Sequence, residues 1–263
     1  MKYNKFKYLV RIICKINLQI LFKQKRENKN MKTAMLASND FTGITFWLIS
    51  MALLASTVFF FMERNSVKAS WRTSITLSGL VTGIAFFHYM YMREVWITTG
   101  TSPTVFRYID WLLTVPLLMV EFYFILSAVK KVSGGIFWRL MIGTLIMLIG
   151  GYLGEAGYMN VTAGFVIGMA GWIYILYEVF SGEAGQEAAK LKGPAADCFN
   201  FCKWIVTLGW SVYPLGYLFG YMVGGTDEAT LNNIYNLADF INKILFGLVI
   251  YQTAKSLTPA GSK

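Results

Sequence analysis

Charged residues are scarce in this chain. Lys, Arg, Asp and Glu make up 14% of its 263 residues, whereas ordinary soluble domains carry about 25%. Hydrophobic residues make up 56% of the chain and aromatic residues 16%. This composition excludes an ordinary soluble domain and predicts a membrane protein.

Residues that bind metals or form disulfides are also few. The chain has three cysteines, Cys14, Cys198 and Cys202, and a single histidine, His88. No cysteine has metal-site spacing to the histidine, which argues against a zinc site and against a disulfide framework. No sequence repeat and no soluble domain is recognisable.

Positive charge is concentrated at the amino end. Residues 1–32 hold ten Lys or Arg and one acid, whereas residues 33–263 hold fourteen Lys or Arg and thirteen acids. The formal net charge of +10 therefore belongs mainly to a basic extension, and it is poor evidence for nucleic-acid binding.

Seven apolar stretches are long enough to cross a membrane, since about 20 helical residues span the hydrocarbon core. They lie near 43–62, 73–93, 104–128, 136–158, 160–181, 199–224 and 230–254. We therefore predict an all-α membrane protein in which residues 33–263 form a seven-transmembrane-helix bundle.

Positive charges in the loops predict the orientation of the bundle. One side has eleven of them, and the other has only Arg93, with the acids Glu94, Asp227 and Glu228. The eleven are Arg64, Lys68, Arg72, Lys130, Lys131, Arg139, Lys190, Lys192, Lys203, Lys255 and Lys263. We expect the carboxyl terminus in the cytoplasm and, with seven spans, the amino terminus outside.

The basic extension conflicts with this orientation, because its ten positive charges would have to cross the membrane. Arg11 and Lys15 interrupt its apolar part, which makes a poor signal-peptide core. Three interpretations are open: a start assigned too far upstream, an atypical cleaved leader, or a retained amphipathic segment. Met31 is a second plausible start, and we expect a chain beginning there to insert and function like the full chain.

Lys243 lies in the middle of the last apolar stretch. A lysine at membrane depth costs about 3 kcal/mol or more unless it is paired or functional. Asp239 lies four residues earlier and so shares its helix face, roughly 6 Å away along the axis. A buried amine beside a carboxyl group predicts a Schiff-base site or a proton path.

Two further acids, Asp110 and Glu121, lie inside the third apolar stretch. They are eleven residues apart, which in a helix is three turns plus about 20°. Both side chains therefore lie on the same face of the helix, roughly 16 Å apart along its axis. Arg107 and Thr114 lie one turn to either side of Asp110. In the predicted orientation Asp110 is nearer the exterior, so an amine between the two acids would exchange protons with opposite sides of the membrane.

The alternative is that these groups form structural ion pairs that hold helices together. Desolvation offsets the attraction in such pairs, so buried pairs are weak evidence for a stabilising role. Five ionisable groups on two helices, with two of the acids in phase, favour the proton path.

At these residues the sequence resembles the microbial rhodopsins. The segments are 107–118, Arg-Tyr-Ile-Asp-Trp-Leu-Leu-Thr-Val-Pro-Leu-Leu, and 236–243, Asn-Leu-Ala-Asp-Phe-Ile-Asn-Lys. His88 within Phe-His-Tyr-Met-Tyr-Met and the run Gly-Glu-Ala-Gly at 154–157 are similar to the proteorhodopsin subgroup. The resemblance covers about residues 37–255.

The resemblance implies a light-driven pump that moves protons outward across a bacterial inner membrane. Lys243 would carry all-trans-retinal as a protonated Schiff base. Asp110 would be the counterion and proton acceptor, Asp239 the second counterion, and Glu121 the cytoplasmic proton donor. Such a protein converts no substrate and is not an enzyme.

The resemblance also implies the groups around these residues. Arg107, His88 and Thr114 would belong to the counterion network, with His88 paired to Asp110, although a lone histidine among aromatics is otherwise a packed core residue. The retinal pocket would contain Trp111, Leu118, Trp172, Trp210, Tyr213 and Pro214, residues that helical spacing alone would assign to plain core. An apolar residue at the colour-tuning position, Leu118, resembles the green-absorbing members.

Partners implied by the resemblance are retinal, protons, the lipid bilayer and further copies of the chain in a pentamer or hexamer. Two alternative functions are open. A photosensory rhodopsin would signal to a membrane partner, and Glu121 argues against it. A retinal-free seven-helix receptor or transporter would use Lys243 and Asp239 as a coupling pair.

Overall fold

The computed structural model describes residues 35–259 of the chain. Within this part every regular element is a helix and no β-strand occurs, which confirms the prediction of an all-α protein. Residues 1–34 and 260–263 lie outside the described residues. The predicted extension, residues 1–32, and the second start at Met31 lie outside them too.

Five long helices come first. They are α1 (Phe41–Glu63), α2 (Arg72–Thr99), α3 (Thr104–Ser127), α4 (Gly135–Glu155) and α5 (Val161–Phe180). Two 3-10 turns, Arg64–Ser66 and Ala69–Trp71, connect α1 to α2, and a short helix α6 (Glu183–Ala188) follows α5. These bounds agree with the first five predicted spans to within a few residues.

The last two spans contain wider helical turns. The sixth span consists of α7 (Pro194–Trp204), a π-helical turn (Ile205–Gly209), α8 (Val212–Tyr217) and a second π-helical turn (Leu218–Met222). The seventh consists of α9 (Glu228–Phe240), a third π-helical turn (Ile241–Leu245) and α10 (Phe246–Ser256). Such turns are rare and frequently occur at functional sites, and the third of them contains Lys243.

In the described part, six helical runs are long and apolar enough to cross a membrane, by length and composition. They are α1 to α5, with the short segments continuous with them, and the seventh span. The sixth span is not among them, and a turn at Trp210 and Ser211 interrupts its helix. Counted with it, residues 35–259 contain the seven spans that the sequence predicts. The orientation of the termini stays a prediction.

Side-chain oxygens cap the first turns of three of these helices, α1, α5 and α9, and Asn160 is the cap of α5. Asp40 accepts a hydrogen bond from the Gly43 amide at 2.9 Å, and Asp227 accepts one from the Thr230 amide, also at 2.9 Å. Helix amino termini leave unpaired amides that such side chains satisfy. The Thr230 amide and hydroxyl hold the pKa of the Asp227 carboxyl below its ordinary value. These caps define where α1, α5 and α9 begin.

Glycines allow α4 and α5 to approach closely. A Cβ on Gly164 would lie 2.6 Å from the Gly154 Cα and 2.9 Å from the Gly150 carbonyl oxygen, so no larger residue fits without moving a helix. Small residues serve this purpose between membrane helices in general. Gly151 and Gly168 on the same two helices line the cavity described below.

Helix α3 lies at the centre of the described bundle. In its most apolar stretch 67% of the residues are buried, against 28% in α1. An apolar helix that is buried on most sides packs against helices rather than lipid. The acids of α3 are therefore placed among the other helices.

Candidate functional site

The amine of Lys243 lies between two carboxyl groups. Its Nζ donates hydrogen bonds to Asp110 Oδ2 at 2.8 Å and to Asp239 Oδ2 at 2.7 Å. All three side chains are almost completely buried, with 3%, 0% and 1% of their surface exposed. The structure thus brings together the amine and two of the acids that the sequence singles out.

The backbone around Lys243 is shaped by the third π-helical turn. Asn242 in this turn donates a hydrogen bond to the Gly209 carbonyl oxygen at 3.1 Å, and Gly209 ends the first π-helical turn of the sixth span. A Cβ on Gly209 would lie 2.1 Å from Asn242 Oδ1, so a glycine is required. The sixth and seventh spans therefore touch at the level of Lys243.

Asp239 is rich in hydrogen-bond donors. Tyr89 donates to its Oδ2 at 2.9 Å, Tyr213 donates to its Oδ1 at 2.6 Å, and Trp111 Nε1 lies 3.2 Å from both oxygens. Asp110 accepts a side-chain hydrogen bond only from Lys243 in the described part of the chain, and its buried Oδ1 has no partner there. The two carboxyl groups beside the Lys243 amine thus differ in the number of hydrogen bonds that they accept.

Arg107 reaches the carboxyl groups through Tyr89. Its Nη1 donates to the Tyr89 hydroxyl at 3.3 Å, and its Nη2 donates to the side-chain oxygens of Asn232 at 2.8 Å and Asn236 at 3.0 Å. Among residues 35–259 no ion pair joins Arg107 to Asp110 or Asp239. Sequence reasoning missed Tyr89 and Asn232, although Asn236 stands at the start of the segment that carries the resemblance.

Two predicted members of the counterion network, Thr114 and His88, form no hydrogen bond with the Asp110 carboxyl group among the described residues. Thr114 donates to the backbone oxygen of Asp110 at 2.9 Å and not to its carboxyl group. The expected pairing of His88 with Asp110 is absent from the hydrogen bonds of the described residues. His88 lies within electrostatic range of Asp110, so its place in the counterion network stays a prediction, while Asp239 accepts a hydrogen bond from the neighbouring Tyr89. His88 is half-buried beside it.

Glu121 lies apart from this group, about 16 Å further along α3 by helical rise. It is 1% exposed. Neither of its carboxyl oxygens has a hydrogen-bond partner of regular geometry among the described residues. The predicted spacing along one face of α3 is retained, and the acid occupies a second buried position.

A cavity opens beside Lys243. Its open space, including the mouth, is ≈ 780 Å³. All six predicted pocket residues line it: Trp111, Leu118, Trp172, Trp210, Tyr213 and Pro214. Lys243 and Asp239 also line it, and most of its other walls are apolar. An amine in such a cavity fits a long apolar molecule with an aldehyde group, as retinal is.

Several cavity residues were not predicted. They are Tyr108, Val115, Met147, Leu148, Gly151, Glu155, Gly164, Phe165, Gly168, Met169, Tyr217 and Asn242. Tyr108 and Val115 belong to the quoted segment 107–118, Glu155 to the Gly-Glu-Ala-Gly run, and Asn242 precedes the predicted lysine. Position in a motif was the available signal for these four. The others come mainly from α4 and α5, where only packing shows which face lines the cavity.

Comparison with known proteins places these features in a family. The family described as bacteriorhodopsin-like protein matches residues 40–257. Green-light absorbing proteorhodopsin of Gamma-proteobacterium EBAC31A08 is 57% identical over 221 residues, which cover 83% of this chain and 88% of that protein. Blue-light absorbing proteorhodopsin of Gamma-proteobacterium Hot 75m4 is 54% identical over 82% of this chain and 87% of its own length.

Solved structures show the same fold. The crystal structure of blue light-absorbing proteorhodopsin from Med12 has a TM-score of 0.73 and 51% identity, and the match covers 82% of this chain and 99% of that one. Xanthorhodopsin, a light-driven ion pump with dual chromophore, has a TM-score of 0.74 and 26% identity, over 82% of this chain and 93% of that one.

Proposed function

The chain belongs to the bacteriorhodopsin-like family, and from this membership we propose how its residues act in a retinal-binding, light-driven proton pump. It is a membrane protein that translocates protons and converts no substrate. The proposal assigns the retinal to Lys243 and an outward direction to the transport, in a bacterial inner membrane.

The observation that carries the proposal is the position of the Lys243 amine. It lies at the wall of an apolar cavity and contacts two carboxyl groups. A protonated Schiff base keeps one positive charge and one N–H, which these carboxyl groups can balance. Bound to Lys243, retinal would absorb visible light and convert it into a change of geometry at the lysine nitrogen.

Asp110 is proposed as the acceptor of the proton from the lysine nitrogen. Hydrogen bonds to a carboxylate stabilise its charged form, and Asp239 receives them from Tyr89, Tyr213 and Trp111. Asp110 receives its one side-chain hydrogen bond from Lys243 itself. When the proton leaves the lysine, Asp110 is the less stabilised anion and takes it up, while Asp239 stays charged.

Glu121 is proposed as the donor that returns a proton to Lys243. A buried carboxyl group without a hydrogen bond of regular geometry is expensive to ionise, so in the resting protein Glu121 holds a proton. It lies on the opposite side of Lys243 from Asp110 along α3. The lysine nitrogen loses its proton to Asp110 on one side and receives a proton from Glu121 on the other, so the transport is vectorial. In the predicted orientation the direction of this transport is outward.

Light-driven pH change in cells expressing the chain tests the function. With retinal supplied, illumination should acidify the medium, and a protonophore should abolish the change. Purified protein should turn coloured when retinal is added. Alkalinisation that persists with a protonophore, or a protein that stays colourless, would contradict the proposal.

A homo-oligomer is also part of the proposal. Large aromatic side chains of α1 and α2 are exposed in the single chain, with Trp47 at 40%, Tyr91 at 55% and Phe87 at 72%. Exposed apolar area of this kind suits contact with lipid or with another copy. A pentamer or hexamer should appear as the corresponding mass in mild detergent, and a single-chain mass would contradict it.

Glu121→Gln is expected to slow the return of the proton to Lys243. The absorption band and the rate at which the Lys243 nitrogen loses its proton should change little, because Glu121 is remote from the cavity. Reprotonation should slow about 100-fold, the lower end of what a positioned acid contributes, and more at higher pH, because protons must then come from solution. Flash photolysis between neutral and alkaline pH measures this.

The matched control for this prediction is Glu94→Gln. Glu94 lies on α2 with 48% of its side chain exposed, and its replacement should leave recovery unchanged. If Glu121→Gln recovers at the parent rate at alkaline pH, Glu121 is not the donor.

Leu118→Gln is expected to shift the absorption band to shorter wavelength without loss of pumping. Leu118 is 3% exposed and lines the cavity with Lys243, so a polar group there would change how charge redistributes on excitation. Visible spectra of the two proteins measure the shift. Leu113→Gln, on the exposed face of the same helix, is the control and should keep the parent colour. If the parent, Leu118→Gln and Leu113→Gln have the same spectrum, Leu118 does not lie at the chromophore.

A further inference from the structure

The resting structure provides no hydrogen bond of regular geometry that would stabilise Glu121 in its deprotonated form among the described residues. Once it gives up its proton it becomes a buried carboxylate, and both of its oxygens lack a hydrogen-bond partner of regular geometry in the described chain. An unpaired buried carboxylate is costly. A donor that approaches it only in this charged state would speed the transfer to Lys243.

Few polar groups surround Glu121. The Ser74 hydroxyl of α2 lies beside it and, like the carboxyl group, lacks a regular hydrogen bond among the described residues. From the sixth span the thiols of Cys198 and Cys202 lie within electrostatic range of it. These two thiols are the titratable groups that face Glu121 in the described part of the chain.

Packing fixes this part of the sixth span against α3. The residues next in sequence to Glu121 and Cys198 are Phe122 and Phe199, whose ring centroids lie 5.0 Å apart in an edge-to-face contact. Both rings are fully buried. The thiol of Cys198, itself 1% exposed, is therefore held at the depth of the Glu121 carboxyl group.

Cys198 has a further partner that Cys202 lacks. Its thiol lies near the Cys202 thiol and the Thr253 hydroxyl on α10. Among the described residues, Cys202, one helical turn further along, interacts with Cys198 and Glu121. Cys198 thus links Glu121 on α3 with Thr253, a residue 7% exposed, on the last helix.

We propose that Cys198 is a positioning residue for proton transfer from Glu121. Its thiol donates a hydrogen bond to the Glu121 carboxylate after the carboxyl proton has left, and Thr253 holds the thiol in place. A thiol is a weak donor, so it leaves the neutral carboxyl unbound at rest, and its hydrogen bond strengthens when the acceptor becomes charged. The proposal rests on the proposed role of Glu121 as donor.

Infrared difference spectroscopy of the full retinal-bound protein in membranes tests the contact directly. The S–H stretching band of a cysteine shifts when its thiol begins to donate a hydrogen bond. A light-induced S–H shift should appear as Glu121 loses its proton, disappear in Cys198→Ala and remain in Cys202→Ala. The absence of any S–H shift in the parent protein would overturn the proposal without the use of a variant.

The rate of reprotonation of Lys243 tests the consequence. Cys198→Ala should slow it about tenfold, as expected for the loss of one hydrogen bond to a charged group. Cys198→Ser, which restores a donor, should return the rate to within about twofold of the parent. Cys202→Ala, which removes a buried thiol one turn away, is the matched control and should change the rate by less than about twofold.

The same kinetics separate this proposal from the assignment of Glu121. An unchanged rate in Cys198→Ala with a slowed rate in Glu121→Gln would overturn the role of Cys198 alone. Unchanged rates in both variants would overturn the donor assignment and, with it, this proposal. Equal slowing in Cys198→Ala and Cys202→Ala, without rescue in Cys198→Ser, would show a packing effect and overturn the proposal too.

Discussion

Replacing Lys243 with alanine is expected to abolish the visible absorption band and all light-driven transport. Only an amine can form the Schiff base, and Lys243 is the lysine that lines the cavity among the described residues. Insertion should survive, because Asp239 keeps its hydrogen bonds from Tyr89, Tyr213 and Trp111. The measurement is the visible spectrum after retinal is added to membranes in which the amount of inserted protein is known.

Lys190→Ala is the matched control for this variant. Lys190 is exposed and pairs with Glu187 near the end of α6, so its loss should change neither colour nor transport. A normal visible band in Lys243→Ala would place the chromophore on another residue and contradict the assignment.

Asp110→Asn is expected to shift the band to longer wavelength and to stop outward pumping. The Asp110 carboxylate lies 2.8 Å from the Lys243 nitrogen, and its charge stabilises the positive ground state of the chromophore. Its removal narrows the gap to the excited state and leaves no group beside Lys243 to receive the proton. Visible spectra and light-driven acidification of the medium measure the two effects.

Acidification of the parent protein should produce the same red shift. Protonation of Asp110 removes the same negative charge, so the band should move to longer wavelength as the pH falls and return as it rises. In Asp110→Asn this response should be absent. Asp197→Asn, at the exposed start of α7, should behave like the parent, whereas Asp110→Asn with the parent colour at alkaline pH would contradict the role of Asp110.

Acceptor and donor differ in their surroundings more than in their chemistry. Asp110, Asp239 and Glu121 are all carboxyl groups buried to 1% exposure or less. What separates them is the supply of donors: several for Asp239, one for Asp110 and none of regular geometry for Glu121 within the described residues. The arrangement explains how one kind of functional group, the carboxyl group, can serve three proposed roles.

The sequence by itself determined the features that depend on local helical geometry. Apolar length predicts the spans, which agree with the structure because a helix rises by a constant amount per residue. The spacing of Asp110 and Glu121 predicts a shared face of α3, and the spacing of Asp239 and Lys243 predicts a contact, which is present at 2.7 Å. These relations hold within one helix and need no partner.

Only the tertiary structure decided which helix faces meet. The contact of Lys243 with Asp110 joins residues 133 positions apart, and the hydrogen bond of Tyr89 to Asp239 joins residues 150 positions apart. Arg107 is held by Asn232 and Asn236. Such contacts depend on the rotation of each helix about its axis. Packing against several neighbours sets that rotation, and π-helical turns such as Ile241–Leu245 change it in a way that a regular period of 3.6 residues does not contain.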